Sequence, residues 1–532
     1  MTKIIPKFDK NTPKLHTGFE YGLNVKNTDC ITFDENGLRF SLMGGVNIKQ
    51  LDRMRVTLKV ARNPLLSALH SYRHTLDLYN DSQCERYIRR ASELLDVGTN
   101  VVNPAFYTLI DSLEKYRLDK KLALAEMRNH KPKEMTAKEK KEAIQYLKNP
   151  NLLSVISEEL VNIGLVGEKT NGLLLYLIYL TRFFDSPLHA LIHGSSGSGK
   201  TNLLKTVIKT VPEESKHLTT CLTENVLFYP PYRDFWKHKI LLLEDLDGSA
   251  KALLPLREFM SNQEITKFVT EMDVNTGEHK QKKLTATGPI CIVGATTKEQ
   301  VYEDNSNRSF VLQINESGNH QKKVLEYQNK KAAGLIDTRE QQKILTIFQN
   351  TQRLLQPIKV VNPFQPELGL PACVFKKLRT NQHYISLIKA ITFLYQHQLK
   401  IQKDDYGKPF IETNLEHIEL ANNLFKDNLL RKSDELNGSQ RSFFERLKIQ
   451  LKKENKTSFF AKEIRQNMRL HPMTLKRQLD TLCKYGFVCQ VSDNKKKGYE
   501  YEILAWEEYT FLQNEMTILD EKLTELKAKY LV

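Results

Sequence analysis

The sequence predicts an α/β fold with a parallel sheet over residues 185–317, and three observations support this. The apolar run Leu188–His193 leads into a glycine-rich loop and then a helical segment. The run Lys239–Leu243 ends in two carboxylates, and Pro289–Gly294 forms a third strand-like run further along. Short apolar runs that alternate with helical segments are typical of a parallel sheet with helices on both faces.

The loop after the first strand reads Gly-Ser-Ser-Gly-Ser-Gly-Lys-Thr and fits the pattern G-x-x-x-x-G-K-[ST] of a phosphate-binding P-loop. Its glycines let successive N–H groups point at a phosphate, Lys200 can reach the β- and γ-oxygens, and the Thr201 hydroxyl can bind Mg²⁺. The helix that follows presents its positive end to the same phosphates. The sequence therefore predicts binding of ATP with Mg²⁺ by Gly194, Ser195, Ser196, Gly197, Ser198, Gly199, Lys200, Thr201 and Asn202.

The second strand ends in Glu244 and Asp245. A P-loop ATPase needs one acid that holds Mg²⁺ and another that polarises the attacking water. Both acids are predicted to be catalytic and near the metal. Their order is the reverse of the usual Asp then Glu, so the sequence leaves open which acid activates the water.

A hairpin is predicted between this strand and the third one, because Asn275-Thr-Gly277 has residue types that favour a tight turn and lies between two strand-like segments. The basic residues Lys280, Lys282 and Lys283 follow the turn. The third strand ends at Ala295-Thr-Thr297, where a polar side chain could sense the γ-phosphate, and Arg308 lies beside the next strand.

This ordered set of motifs resembles the AAA+ ATPases that carry a pre-sensor-1 hairpin. It is similar to the minichromosome-maintenance-like helicases and, more closely, to the helicase part of primase-helicases of phages and mobile elements. The resemblance covers roughly residues 145–500 and extends to segments 147–153, 164–177, 361–364 and 378–391. It implies an AAA+ core with a helical lid that assembles into a ring, most often a hexamer, and acts on DNA.

The resemblance also implies roles for single residues. Thr296 or Thr297 takes the sensor-1 position, where such ATPases usually have Asn, while Arg308 takes the arginine-finger position and Arg379 the sensor-2 position. The hairpin would project into the ring channel and bring Lys280, Lys282 and Lys283 near DNA. Alternative interpretations are a strand-edge arginine for Arg308, a helix-surface arginine for Arg379 and a hairpin that does not touch DNA.

The C-terminal part predicts a helix over 460–468, a turn, a second helix over 474–486 and a hairpin with a basic tip. Together these elements resemble a winged-helix domain, whose second helix can enter a major groove. Residues 441–500 carry 15 Lys and Arg against 6 Asp and Glu, which favours a nucleic-acid partner over the alternative of protein contacts. The predicted DNA-binding residues of this module are Lys476, Arg477, Lys495, Lys496 and Lys497.

Composition narrows the class of protein. The chain has 532 residues and a net charge of +16, and none of its seven cysteines forms a C-x-x-C pair. No apolar run approaches the roughly 18 residues that span a bilayer, and the N-terminus lacks a signal-peptide apolar region, so a cytoplasmic protein without membrane contact is expected. No zinc pattern or nucleotidyl-transfer carboxylate cluster precedes the P-loop, which argues against primase activity in this chain and leaves a primase as a candidate partner.

These observations predict six regions. They are an α+β N-terminal region of unknown role over 1–124, a helical lead-in over 125–184, the AAA+ core over 185–317, a helical lid over 318–438, a winged-helix domain over 439–504 and a C-terminal helix over 505–532. The predicted function is an ATP-driven, ring-forming DNA helicase of the replicative type from a mobile element or prophage. The alternatives are a DNA-binding initiator or loader without strand displacement, and a protein-remodelling or defence ATPase.

Overall fold

The computed structural model divides the chain into two compact units, Met1–Pro132 and Lys133–Val532. The structure describes residues 19–20, 22–27, 29–48, 51–62, 70–128, 133–232, 234–272, 279–298, 308–315, 318–436, 438–494 and 498–530. No helix in these ranges is both long and apolar enough to cross a membrane.

The first unit is an antiparallel sheet whose strands pair in chain order. Its elements are β1 Phe19–Glu20, β2 Leu23–Asn27, β3 Cys30–Glu35, β4 Leu38–Met43, β5 Arg55–Arg62, β6 Ser71–Asp77, α1 Asp81–Leu95 and α2 Thr99–Arg128. The Asn36-Gly37 turn joins β3 to β4 with positive φ at both residues (50° and 75°), as a tight hairpin requires. The apolar sides of β3, β4 and β5 pack on α1 and α2, which bury Tyr87 and Phe106.

The second unit is built on a five-stranded parallel sheet in the order β13-β7-β12-β9-β8. Its elements are α3 Ala137–Leu147, α4 Leu152–Asn162, α5 Lys169–Leu180, β7 His189–His193, α6 Lys200–Val207, β8 Lys216–Thr219, β9 Lys239–Leu243, α7 Leu253–Asn262, β10 Glu264–Met272, β11 His279–Thr287, β12 Ile290–Thr296 and β13 Ser309–Gln313. β7, β9 and β12 are buried along almost their whole length, and for this reason their sequences are nearly continuous runs of apolar residues.

The hairpin predicted before the third strand is formed by β10 and β11, which pair antiparallel from Glu264 opposite Thr287 to Met272 opposite His279. The predicted turn at 275–277 lies outside the described residues. Ile265, Leu284 and Ala286 are buried at the base of the hairpin. Only Gly288 and Pro289 separate the end of β11 from the start of β12.

The region predicted to be a helical lid is only partly helical. Its elements are α8 Gly318–Ala332, α9 Thr338–Leu354, β14 Lys359–Val361, α10 Lys377–Leu394, β15 Gln402–Lys403, β16 Pro409–Glu412 and α11 Leu415–Ser433. β15 and β16 interrupt the helices of this region and pair with β14 in a small sheet. These strands are two to four residues long, which is too short for an alternating pattern to reveal them.

The last part comprises α12 Gly438–Glu454, β17 Ser458–Phe460, α13 Ala461–Asn467, α14 Pro472–Lys484, β18 Val488–Asn494, β19 Gly498–Ile503, α15 Glu508–Glu515 and α16 Ile518–Tyr530. The strands form a sheet in the order β17-β19-β18. The prediction of a single C-terminal helix over 505–532 was wrong, because the chain turns at Met516 and Thr517 and forms two helices. This break lets Asn422 of α11 donate to the carbonyl of Leu519 and Lys426 pair with Asp520.

A buried ion pair joins the end of α11 to α12. The Arg441 side chain is 7% exposed and its Nε donates to Asp434, which is 5% exposed, at 2.7 Å. Glu508 of α15 lies 3.0 Å from the same guanidinium. The pair of Asp434 with Arg441 thus connects α12 to the end of α11.

Replacing Asp434 with Asn should destabilise the protein by about 2 kcal/mol, because it leaves a buried guanidinium with only part of its counter-charge. Urea unfolding of the full chain, followed by circular dichroism, measures the effect. Asp480→Asn on the exposed side of α14 is the matched control and should stay within about 0.5 kcal/mol of wild type. Equal stabilities of the two variants would contradict a structural role for this pair.

Candidate nucleotide-binding site

The P-loop connects the end of β7 at His193 to the start of α6 at Lys200. Gly197 and Gly199 have φ values of 78° and 101°, a left-handed conformation that favours glycine. The exposed Thr201 and Asn202 occupy the first turn of α6, where backbone N–H groups have no partner within the helix. This local geometry suits a phosphate group.

The Lys200 ammonium lies over the start of the loop. Its Nζ donates to the carbonyl oxygens of Gly194 at 2.8 Å and Ser195 at 2.6 Å. The charge that would meet the β- and γ-phosphates therefore lies at the first two residues of the P-loop.

The two predicted acids differ in their surroundings. Glu244 forms an ion pair with Lys205 of α6 at 2.8 Å. Asp245 instead accepts the backbone N–H of Asp247 through Oδ1 at 2.9 Å. The backbone N–H groups of both acids donate to Thr219 and Thr220, which extends the pairing of β9 with β8. Lys205 thus engages the carboxylate of Glu244, while the carboxylate of Asp245 stabilises the turn that follows β9.

A third acid, Asp247, was missed in the sequence. Its Oδ1 accepts the Thr296 hydroxyl at 2.7 Å, and its Oδ2 accepts the backbone N–H and the hydroxyl of Thr297 at 3.2 Å and 2.9 Å. Asp247 thus links the acid pair after β9 to both candidate sensor threonines after β12. The signal was present, since Glu244-Asp-Leu-Asp247 holds three acids, but the partner of the third lies 49 residues away.

The order of the strands explains why these groups meet. β12 pairs in parallel with β7, placing Thr296 opposite His193, and with β9, placing Gly294 opposite Leu243. Parallel strands end at the same edge of a sheet, so the P-loop, the acids and Thr296 lie at one edge.

Arg308 lies at the other edge. It directly precedes Ser309, which pairs with His189 at the start of β7, so about six residues or ~20 Å of strand separate it from Gly194. Its Nε donates to Ser261 Oγ at 2.7 Å. Arg379 is in the same area, because both it and the Arg308 backbone interact with the ring of His383. An arginine side chain cannot span this distance, so Arg308 does not reach the P-loop of its own chain.

The P-loop edge opens into a cleft of about 1640 Å³ whose far side belongs to the C-terminal elements. Arg431, Arg446 and Arg477 line it, together with Gly194, Ser195 and Thr297. Arg477 also lines an outer groove of about 570 Å³ along α14 with Lys476 and Lys484. The predicted DNA-binding Arg477 therefore lies between the outer surface of α14 and the cleft at the P-loop.

The predicted basic residues of the hairpin lie on both of its faces. Lys282 is opposite Val269 and Lys283 is opposite Phe268, so these neighbouring lysines point to opposite faces. Phe268 is 65% exposed beside Lys283. The backbone of Lys280 pairs with that of Glu271. The predicted Lys495, Lys496 and Lys497 lie outside the described residues.

The described residues include no cluster of three or more His, Cys, Asp or Glu that could hold a metal ion by itself. Mg²⁺ at a P-loop does not need such a cluster, because one or two carboxylates and the phosphates complete its ligands. The exposed Thr201 hydroxyl at the start of α6 and the acid pair fit this donor set.

Comparison with known proteins supports the nucleotide-binding part of this site. Residues 134–356 match the family model described as the MTBMA_p00010 P-loop domain. The chain is 25% identical to Uncharacterized protein MTBMA_p00010 of Methanothermobacter marburgensis over 244 residues, or 43% of this chain. The match covers 29% of that protein. A P-loop, nucleotide-binding domain is therefore supported over this part of the chain.

Asp247→Ala should lower nucleotide turnover by about 10-fold or more and change nucleotide affinity little, because it releases Thr296 and Thr297 without removing a phosphate contact of the P-loop. Steady-state turnover and nucleotide titration on the same preparation measure both quantities. The partly exposed acid Glu258 on α7 provides the control variant Glu258→Ala. Wild-type turnover of Asp247→Ala would show that the threonines do not depend on this carboxylate.

Proposed function

We propose that the protein is an ATP-driven DNA helicase of the AAA+ type, which assembles into a ring and serves replication of a mobile element or prophage. The observation that carries the proposal is the separation of two sets of residues on one sheet. The P-loop and acids lie at one edge and Arg308 at the other, so each chain offers one half of an active site at each edge. A ring of copies would join the halves.

In this proposal the P-loop binds the triphosphate, and Lys200 contacts the β- and γ-phosphates. Thr201 and Glu244 would hold Mg²⁺, and the ion would neutralise phosphate charge. Asp245 would orient and polarise the attacking water, because Lys205 engages the carboxylate of Glu244. Arg308 of the neighbouring copy stabilises the charge that develops on the transferred phosphoryl group.

The connection between β11 and β12 supports the coupling of hydrolysis to movement. Thr296 at the end of β12 contacts Asp247, and the hairpin precedes β12 by only two residues. A change at the nucleotide edge can therefore reach the hairpin through one strand. Lys283 and Phe268 share a face on which a phosphate and a base of single-stranded DNA could be held together.

The C-terminal elements fit a winged-helix domain in this proposal. α13, α14 and the sheet β17-β19-β18 follow the expected order, with α14 as the recognition helix. Its exposed Lys476, Arg477 and Lys484 form a basic groove that suits DNA phosphates. A primase or another replication protein is a further expected partner.

One observation favours a second function, the remodelling of proteins. An exposed aromatic side chain such as Phe268 on a projecting hairpin can grip a polypeptide as well as a base. Measuring ATP turnover with single-stranded DNA and with an unfolded polypeptide separates the two functions. A DNA-binding initiator would show DNA-stimulated turnover without strand displacement.

Arg308→Ala should bind ATP nearly normally and hydrolyse it about 10³-fold more slowly, the scale of a lost arginine finger. Mixed with Lys200→Ala subunits, it should regain turnover, because its intact P-loop can meet an intact arginine of the neighbouring copy. Turnover is measured on mixed assemblies isolated by a tag on each variant.

Arg339→Ala, at an exposed position on α9, is the matched control and should keep wild-type turnover. The ring proposal is refuted if isolated mixed assemblies regain no activity, or if the Arg308→Ala protein is fully active as a monomer.

Lys476→Glu with Arg477→Glu should weaken DNA binding and reduce the slope of log affinity against log salt, because fewer counterions are released. Fluorescence anisotropy at several salt concentrations provides the slope. The pair Lys322→Glu and Lys323→Glu on α8 makes the same change in net charge and should leave the slope unchanged. Equal slopes for the α14 variant and wild type would favour protein contacts for this module.

A further inference from the structure

A short chain of contacts connects α11, α10 and the residue that precedes β13. The ammonium of Lys432 lies 2.9 Å from Nδ1 of His383. The ring of His383 in turn hydrogen-bonds the backbone of Arg308. These contacts bring together three segments that are far apart in the sequence.

The chemistry of the groups fixes the direction of each hydrogen bond. An ammonium can only donate, so Nδ1 of His383 accepts. The proton of the neutral ring is then on Nε2, which donates to the carbonyl oxygen of Arg308. Burial, and next the charge of Lys432, hold the pKa of His383 well below its usual range, so the ring is neutral near pH 7. Burial lowers the pKa of Lys432 to about 8, so most of it carries its proton at pH 7.

Packing holds the ring in place. His383 stacks on Phe310 with their centroids 4.9 Å apart and an angle of 25° between the rings. The Lys432 ammonium lies 5.8 Å from the centroid of the same Phe310 ring. Phe310 is fully buried in β13, two residues after Arg308. The donor of His383 is therefore fixed relative to the strand on which Arg308 begins.

We propose that His383 and Lys432 are positioning residues that fix the main chain of Arg308, so that its guanidinium is presented to the P-loop of a second copy. This inference rests on the trans-acting arginine of the proposed function. A finger needs such support, because a displacement of about 1 Å in a catalytic group can cost on the order of 10²-fold in rate. The contact of Arg308 with Ser261 holds the side chain, while His383 holds the backbone.

The test compares His383→Leu, which removes both hydrogen bonds, with His383→Gln, whose amide can still donate to the Arg308 carbonyl. His383→Leu should lower kcat for ATP by about 10- to 100-fold and leave KM and ATP affinity within about 2-fold. His383→Gln should recover most of the rate. Lys432→Met, on a different helix, should resemble His383→Leu in kcat and should not lower the melting temperature.

Complementation separates a positioning role from simple destabilisation. Mixed with Lys200→Ala subunits, His383→Leu should regain turnover as Arg308→Ala does, because its P-loop meets an intact arginine of the neighbour. The inference is overturned if His383→Leu keeps full activity while Arg308→Ala loses it, or if only Arg308→Ala is complemented. Full activity of Arg308→Ala would instead refute the proposed finger itself, and this inference with it.

Discussion

The parallel pairing of β12 with both β7 and β9 is the constraint on which the rest of the second unit depends. It places the strand that ends in Thr296 between the strand that carries the P-loop and the strand that carries the acids. Side chains from three distant segments therefore meet at one edge without a long loop. A separate parallel pairing, that of β13 with β7, gives the opposite edge a different chemistry, because it places Arg308 where β7 begins.

The features predicted correctly from the sequence depend on local signals. The P-loop follows from the glycines and Lys200. The hairpin before β12 was visible because its arms are adjacent in the chain. Each of these patterns spans fewer than about 25 residues, so neighbouring residues alone specify them.

The features that were missed depend on contacts across the fold. The hydrogen bonds of Asp247 to Thr296 and Thr297 join segments 49 and 50 residues apart. Arg379 was assigned by resemblance, but its place beside Arg308 follows from the packing of α10 against β13 through His383 and Phe310. Nothing local marks the break at Met516, which depends on the docking of Leu519 and Asp520 on α11.

The C-terminal elements also depend on β13 for their position. Asn428 of α11 donates to the carbonyl of Val311, and Gly438 at the start of α12 lies so close to the Gln313 side chain that a Cβ there would overlap it. Both contacts fix α11 and α12 on the strand beside β7, which is why Arg431 and Arg446 line the cleft at the P-loop edge.

β13 therefore connects the two edges through a single strand. Its carboxyl end contacts α12 beside the P-loop. Its amino end follows Arg308, whose backbone accepts a hydrogen bond from His383. Packing alone does not require an ammonium at Lys432, because burial opposes its charge and an apolar side chain of similar length would fill the site. An apolar side chain cannot donate a hydrogen bond to Nδ1 of His383. Lys432 does so, and thereby keeps the proton of the ring on Nε2, the nitrogen that faces the Arg308 carbonyl.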